Sequence, residues 1–309
     1  MNKLITDFLK EASDKGITDI KRDLPMSEYT TFKIGGNADL AVFPKSREEL
    51  TDAVTVAKAI GLPVYLVGKG SNLLVSDEGF RGVIVFTGGL DKITLEGNCV
   101  YAEAGVNLTA LSRSVAERGL SGLEFACGIP GTVGGAVYMN AGAYGSEMKN
   151  VTVSSDYWSS TLGFGTLSGD EQGFGYRESA YMKGDKIILG CKMMLWEGNP
   201  EEILATCREL LAKRREKQPL EYPSAGSSFK RYPGRFTGQM IEEAGLKGFS
   251  VGDAQVSTKH AGFIVNKGRA TCREVIELVG IIKEKIFDKE GVKIECEIRY
   301  LSPLGEVTL

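Results

Sequence analysis

The stretch from Cys127 to Glu147, CGIPGTVGGAVYMNAGAYGSE, constrains the fold most, because it packs six glycines and a proline into one run with almost no charge. A surface linker would be polar and rich in serine or lysine. Here Ala136, Val137, Ala141 and Ala143 stand between the glycines, so the backbone is expected to be buried and close to something. Without a Cβ in the way, main-chain N–H groups can approach a ligand. Gly131-Thr132-Val133-Gly134-Gly135, after Ile129-Pro130, is therefore expected to cradle negatively charged oxygens, most simply a pyrophosphate. The plainer alternative is that these glycines only make tight turns. Neither Gly-x-x-x-x-Gly-Lys-Ser/Thr nor a Gly-x-Gly-x-x-Gly after a strand occurs in the chain.

A second loop shifts the balance toward phosphate. The apolar run Val64-Tyr65-Leu66-Val67 leads straight into Gly68-Lys69-Gly70-Ser71-Asn72, followed by Leu73-Leu74-Val75. Strand, Gly-x-Gly-Ser-Asn, strand again presents backbone amides, with the Ser71 and Asn72 side chains as additional donors. Two such loops suit a long, doubly phosphorylated ligand.

The 309 residues predict two or three domains, each able to bury a core. A net charge of -3 offers no basic field for nucleic acid, so any phosphate site must be local. The six cysteines are scattered without a C-x-x-C pair, and the chain has one histidine, so no metal site is expected and reduced, mostly buried thiols in a cytoplasmic protein are. The charged N-terminal segment does not resemble a signal peptide, and no run of apolar residues is long enough to span a membrane.

Along the chain, helical spacing of Leu4, Ile5, Phe8 and Leu9 predicts a helix ending near Gly16. Ser46 with Glu49 predicts a capped helix running to Gly61, between strands at Leu40 to Phe43 and Val64 to Val67. Residues 1–81 thus form an α/β unit with a loop at a strand end, where open sheets place ligands. From Gly82 to Gly198 short strands surround a helix from Asn107 to Arg118. The segment 154–173, rich in glycine and serine, suggests a loose hairpin. Asn199-Pro200-Glu201-Glu202 opens a long helix and a third unit, 199–291. Ile294 to Leu301 is expected as a strand that, within 292–309, completes the first unit.

Several residues could carry chemistry. Ser227, in SAGSSFK, offers a hydroxyl on unencumbered backbone, or is simply a turn serine. A hydrolase would need His260 as base and a Gly-x-Ser-x-Gly elbow, which is missing. Arg177, in FGYRES, could clamp a carboxylate with two hydrogen bonds or form a surface ion pair. Glu295 and Glu297 alternate with Ile294, Cys296 and Ile298, as on a strand with one face to solvent. Lys217, Lys230 and Arg231 lie near Ser227 in sequence and could bind a diphosphate or merely decorate a basic loop, and His260 could touch substrate or be structural.

Gly68 to Leu73, Gly128 to Ala136 and Asn140-Ala141-Gly142-Ala143-Tyr144-Gly145 resemble the FAD-binding signatures of the UDP-N-acetylenolpyruvoylglucosamine reductase family, whose flavin domain is of the vanillyl-alcohol-oxidase (PCMH) type. The resemblance runs from about Thr31 to Tyr300 and fits the shorter subgroup, without the inserted tyrosine loop. It implies an α+β protein: two α/β flavin subdomains and a C-terminal α+β substrate domain. It also implies non-covalent FAD, since the flavin region has no histidine, and NADPH as co-substrate. The FAD residues would be Gly68, Lys69, Gly70, Ser71, Asn72, Leu73, Gly128, Ile129, Pro130, Gly131, Thr132, Gly134, Gly135, Ala136, Asn140, Ala141 and Gly142. Substrate would meet Lys217, Lys230, Arg231 and His260. Tyr-Arg-x-Ser, Gly226-Ser227-x-Phe229-Lys230 and Glu295-Cys296-Glu297-Ile298-Arg299 are similar to the family's catalytic segments, making Arg177 and Glu297 enolate stabilisers and Ser227 the proton donor. The implied reaction reduces the enolpyruvyl group of a UDP-sugar in peptidoglycan precursor synthesis, in a cytoplasmic protein expected to be a monomer that binds only small molecules. A flavin oxidase using oxygen and a non-catalytic sugar-nucleotide binder remain as alternatives.

Overall fold

The computed structural model of the protein describes residues 2–309. Helix α1 (Asn2–Asp14) buries Ile5, Phe8 and Ala12 along one face. Strands β1 (Ile20–Pro25) and β2 (Asn37–Val42) lead to α2 (Arg47–Ile60), which starts where the Ser46 hydroxyl accepts the Glu49 amide and stops at Gly61 in the left-handed region. Then come β3 (Val64–Val67), β4 (Leu73–Val75) and β5 (Phe80–Phe86). The sheet runs β1-β2-β5-β3, with β2, β5 and β3 parallel and β1 an antiparallel edge. Leu40, Val42, Val83 and Val85 form its core with Leu50 and Val54 of α2, so the carboxyl end of β3 delivers the chain to Gly68.

The next unit contains β6 (Ile93–Glu96), β7 (Cys99–Glu103), α3 (Leu108–Glu117), α4 (Val133–Tyr138), β8 (Thr152–Ser159), β9 (Gly163–Ser168) and β10 (Ile187–Met194). It is an antiparallel sheet in the order β9-β8-β10-β7-β6, and its core joins Val100, Ala102 and Met193 to Leu108, Leu111 and Val137. The loose hairpin expected at 154–173 is instead an ordered ladder, in register from Ser154 opposite Ser168 to Ser159 opposite Gly163. The serines that suggested looseness anchor it. Ser155 donates to Gln172 at 2.9 Å, and Ser159 and Ser160 each donate to Asp185 at 2.7 Å.

The remaining elements are α5 (Pro200–Lys217), α6 (Thr237–Glu243), β11 (Ser250–Val251), β12 (Ala254–Val256), β13 (Ile264–Asn266), α7 (Cys272–Glu290), β14 (Arg299–Ser302) and β15 (Gly305–Val307). The small antiparallel sheet β11-β12-β13 shares a core with α7 through Ala254, Val256, Ile264, Val275 and Leu278. Asp77, just after β4, accepts the Cys272 and Arg273 amides at 2.7 and 3.0 Å and so caps α7 from another part of the chain. β14 runs parallel to β4, Arg299 opposite Leu73 and Leu301 opposite Val75.

The strand expected from Ile294 begins only at Arg299. Over 294–298 the chain makes two isolated links to the Ser227 segment, Glu297 N–H to Ser228 O and Lys230 N–H to Glu295 O, both 2.9 Å. The side chain of Glu295 is 74% exposed and that of Glu297 13%, although on a regular strand residues two apart share a face. The break in the ladder is what turns Glu297 inward.

Candidate active site

The two glycine loops meet. The Ser71 hydroxyl donates to the Pro130 carbonyl at 2.6 Å, and a Cβ on Gly68 would lie 2.5 Å from Thr132 Oγ1. Behind this junction opens a cavity of about 620 Å³, walled by β3, the 68–73 loop, residues 129–143, Arg177, Ser227 and Glu297. Gly70, at φ +60°, sits so close to Tyr29 that a Cβ would be 2.3 Å from its carbonyl oxygen. Among the described residues no acceptor takes the Lys69, Gly70 or Ser71 amides, leaving three main-chain donors beside the cavity. The glycines near α4 behave differently. The Val133 and Gly134 amides bond to Val106 and Ala104, and that of Gly135 to the capping Thr132 hydroxyl at 3.3 Å. A Cβ on Gly134 would lie 2.8 Å from that of Ala104. These glycines let α4 pack closely, while Gly131, Thr132 and Ala136 still line the cavity.

A cavity walled on one side by main chain with free amides, where a Cβ on Gly68 or Gly70 would clash, fits a dinucleotide. The residues that would hold FAD there are Lys69 to Asn72 and Ile129 to Thr132. Ser71 and Asn72 contribute differently from the expectation. The Ser71 hydroxyl is committed to Pro130, and Asn72 Nδ2 donates to the Glu297 carbonyl at 3.1 Å, so both side chains hold the walls together.

Opposite this wall, Arg177 Nε donates to Glu297 Oε1 at 2.6 Å and Nη2 to the Gly142 carbonyl at 3.2 Å, with the guanidinium 5.1 Å from the Tyr176 ring centroid. Arg177 adopts φ +55°, a conformation uncommon for arginine. Asn140, fully buried at φ +40°, supports that turn by donating to the Gly175 carbonyl at 2.8 Å and accepting the Lys149 amide. Burial pushes the Glu297 carboxyl above its ordinary value, although Arg177 pulls it back. Ser227 follows Gly226, at φ +80°, and is held between the Ser228 bonds to Gly262, Ile264 and Glu297. The Ser227 hydroxyl itself has no protein partner among the described residues and lines the cavity.

Several expected site residues stand elsewhere. Gly128 lies behind the wall under the Arg214 side chain, and Asn140 is committed to the 175 turn, so neither lines the cavity. Lys217 is exposed on α5, Lys230 pairs with Glu295 at 2.9 Å, and Arg231 stacks on Phe236 at 5.0 Å. His260 Nδ1 accepts the Gly262 amide at 3.0 Å and its ring meets Phe263 edge-on; burial lowers its pKa, as for a neutral structural histidine. None of these four lines the cavity. Arg214, Gln218 and Arg299 do, none of which stands among the expected site residues. Arg299 donates to the Tyr138 hydroxyl at 2.8 Å, pairs with Glu306 and leaves its buried Nε without a partner among the described residues. Its place two residues after Glu297 was a usable signal.

Residues 218–301 match the family described as UDP-N-acetylenolpyruvoylglucosamine reductase, C-terminal domain, and residues 38–161 match an FAD binding domain. The chain is 44% identical over 301 residues to a UDP-N-acetylenolpyruvoylglucosamine reductase of Clostridium kluyveri, covering 97% of this chain and 99% of that one. A reductase of the same name from Syntrophomonas wolfei is 46% identical, covering 91% and 94%. The crystal structure of the Thermus caldophilus reductase superposes with a TM-score of 0.79 at 37% identity, covering 91% of this chain and 98% of that one. A berberine bridge enzyme, at 15% identity and a TM-score of 0.50, shares the fold alone. With near-complete coverage at this identity and a main-chain cradle shaped for a dinucleotide, the chain belongs to the UDP-N-acetylenolpyruvoylglucosamine reductase family and is an FAD-dependent oxidoreductase.

Proposed function

We propose that Arg177, Glu297 and Ser227 carry the chemistry of this reductase, in which the enolpyruvyl group of UDP-N-acetylglucosamine enolpyruvate becomes the ether of UDP-N-acetylmuramate, a peptidoglycan precursor. NADPH is the co-substrate. FAD, when bound, supplies the hydride for the terminal carbon of the enolpyruvyl group. That addition leaves an electron pair on the carbon beside the substrate carboxylate, delocalised as an enolate. Arg177, with Nε and Nη2 engaged and Nη1 without an acceptor among the described residues, takes the carboxylate. Glu297, which burial pushes toward its neutral form, stabilises the same enolate from beside Arg177. Ser227 gives its proton to the carbon; so weak an acid can do this only because the acceptor is far more basic.

The observation that carries this reading is the convergence of three segments, at 177, 227 and 297, on one cavity, with Arg177 and Glu297 2.6 Å apart. The six free cysteines support a reducing, cytoplasmic setting. We take the protein to act as a monomer. Purified protein should show flavin absorption and consume NADPH in proportion to UDP-sugar reduced. NADPH oxidation coupled to peroxide, with no reduced sugar, would overturn the proposal.

A further inference from the structure

Two neighbouring side chains on one helix, Arg214 and Gln218, line the cavity without a partner among the described residues. Helix α5 turns one stripe, Ile203, Cys207, Leu211, Arg214 and Gln218, toward the glycine stretch. The helix is fixed there at several points. Cys127 Sγ lies 3.5 Å from the Cys207 carbonyl, the Tyr144 hydroxyl donates to the Leu210 carbonyl at 3.1 Å, and Leu211 lies over Gly128. A Cβ on Gly128 would be 2.9 Å from Arg214 Cδ, so the glycine makes room for the arginine stem. The stripe is apolar until its last turn, where Arg214 and Gln218 reach the cavity.

The Arg214 side chain makes no ion pair or hydrogen bond among the described residues, and burial draws its guanidinium below its ordinary pKa. The Gln218 Oε1 is buried without a hydrogen bond. By contrast, Lys213 on the outer face pairs with Glu209 at 2.5 Å. An unpaired half-buried cation and an unpaired buried amide oxygen are costly unless something supplies their partners.

We propose that Arg214 and Gln218 form a nucleoside-diphosphate wall, the guanidinium taking the diphosphate and the amide oxygen accepting a ribose hydroxyl. This rests on the reading above, which brings to one cavity two sources of that chemistry, FAD and the UDP-sugar. The planar fork of arginine suits phosphate oxygens, and the ribose adjoins the diphosphate in both molecules.

The test titrates FAD into apoprotein by fluorescence, and UDP into FAD-loaded protein by flavin absorbance, for Arg214→Met, Arg214→Lys, Gln218→Leu and the charge-matched outer-face control Lys213→Met. Arg214→Met should weaken one titration by about 10- to 100-fold, the range of a lost charged hydrogen bond, with a smaller loss for Gln218→Leu and partial recovery in Arg214→Lys. A loss confined to UDP assigns the wall to the UDP-sugar, and a loss confined to FAD assigns it to the cofactor; either supports the proposal. Folded Arg214→Met and Arg214→Lys that keep both affinities within about twofold, or an equal loss in Lys213→Met, would overturn it. If wild-type protein binds no FAD, the functional reading fails instead, and calorimetric titration of UDP into the same variants still tests the wall.

Discussion

One wall of the cavity is main chain and the other is side chain, and they tolerate change in opposite ways. On the 68–72 side the amides of Lys69, Gly70 and Ser71 remain free and the glycines exclude any Cβ, so recognition there depends on backbone position. On the Arg177, Ser227 and Glu297 side three distant segments bring side chains together, Arg177 bonded to Glu297 at 2.6 Å, and function depends on which atoms those side chains end in. Damage to the first wall should register as lost folding and cofactor affinity, damage to the second as lost turnover with binding intact.

The sharpest break is expected at Gly70. Alanine there must hold φ +60° with its Cβ 2.3 Å from the Tyr29 oxygen, so Gly70→Ala should lose about 3 kcal/mol or more in urea unfolding of the FAD-free protein. An unchanged unfolding midpoint would remove the distinction between the walls. Next, Ser227→Ala should still let NADPH bleach the flavin but slow product formation by ~10²-fold or more, the range general acids supply. Normal turnover would strike Ser227 from the mechanism. A smaller effect is expected of Ser71→Ala, which breaks the 2.6 Å bond joining the two loops. It should cost about 1 kcal/mol of stability and weaken FAD in fluorescence titration while leaving the rate at saturating FAD unchanged.

The smallest effect concerns Glu297. Because burial raises its pKa, the folded state holds a proton that the unfolded chain has already released, so stability is lost as pH rises from the ordinary carboxyl value through the folded one. Glu297→Gln should therefore lack activity yet melt slightly higher than wild type near pH ~8, the gap closing toward pH ~4. A lower melting temperature at both values would mean that the Arg177 pair outweighs burial.

Much of this was legible in sequence because it follows local rules. The Ser46 cap, the strand before Gly68 and the apolar spacing of the glycine stretch each act within a few residues. What stayed hidden depends on distant partners. Lys217 and Arg214 look alike in a basic helix end, and only the docking of α5 on Gly128 decides which faces the cavity. Asn140 sits among signature residues but answers to the Gly175 carbonyl, 35 positions on. Glu297 turns inward only because 294–298 pairs with the Ser227 segment too briefly to form a ladder, which no alternation pattern reveals.

The parallel pairing of β14 with β4 sets a timetable for biogenesis. On a ribosome Leu73 to Val75 emerge more than two hundred residues before Arg299 to Leu301, their neighbours in the finished sheet. Until then the edge of β4 has an open flank, so the glycine loop beside it gains its last neighbour only after most of the chain has been made.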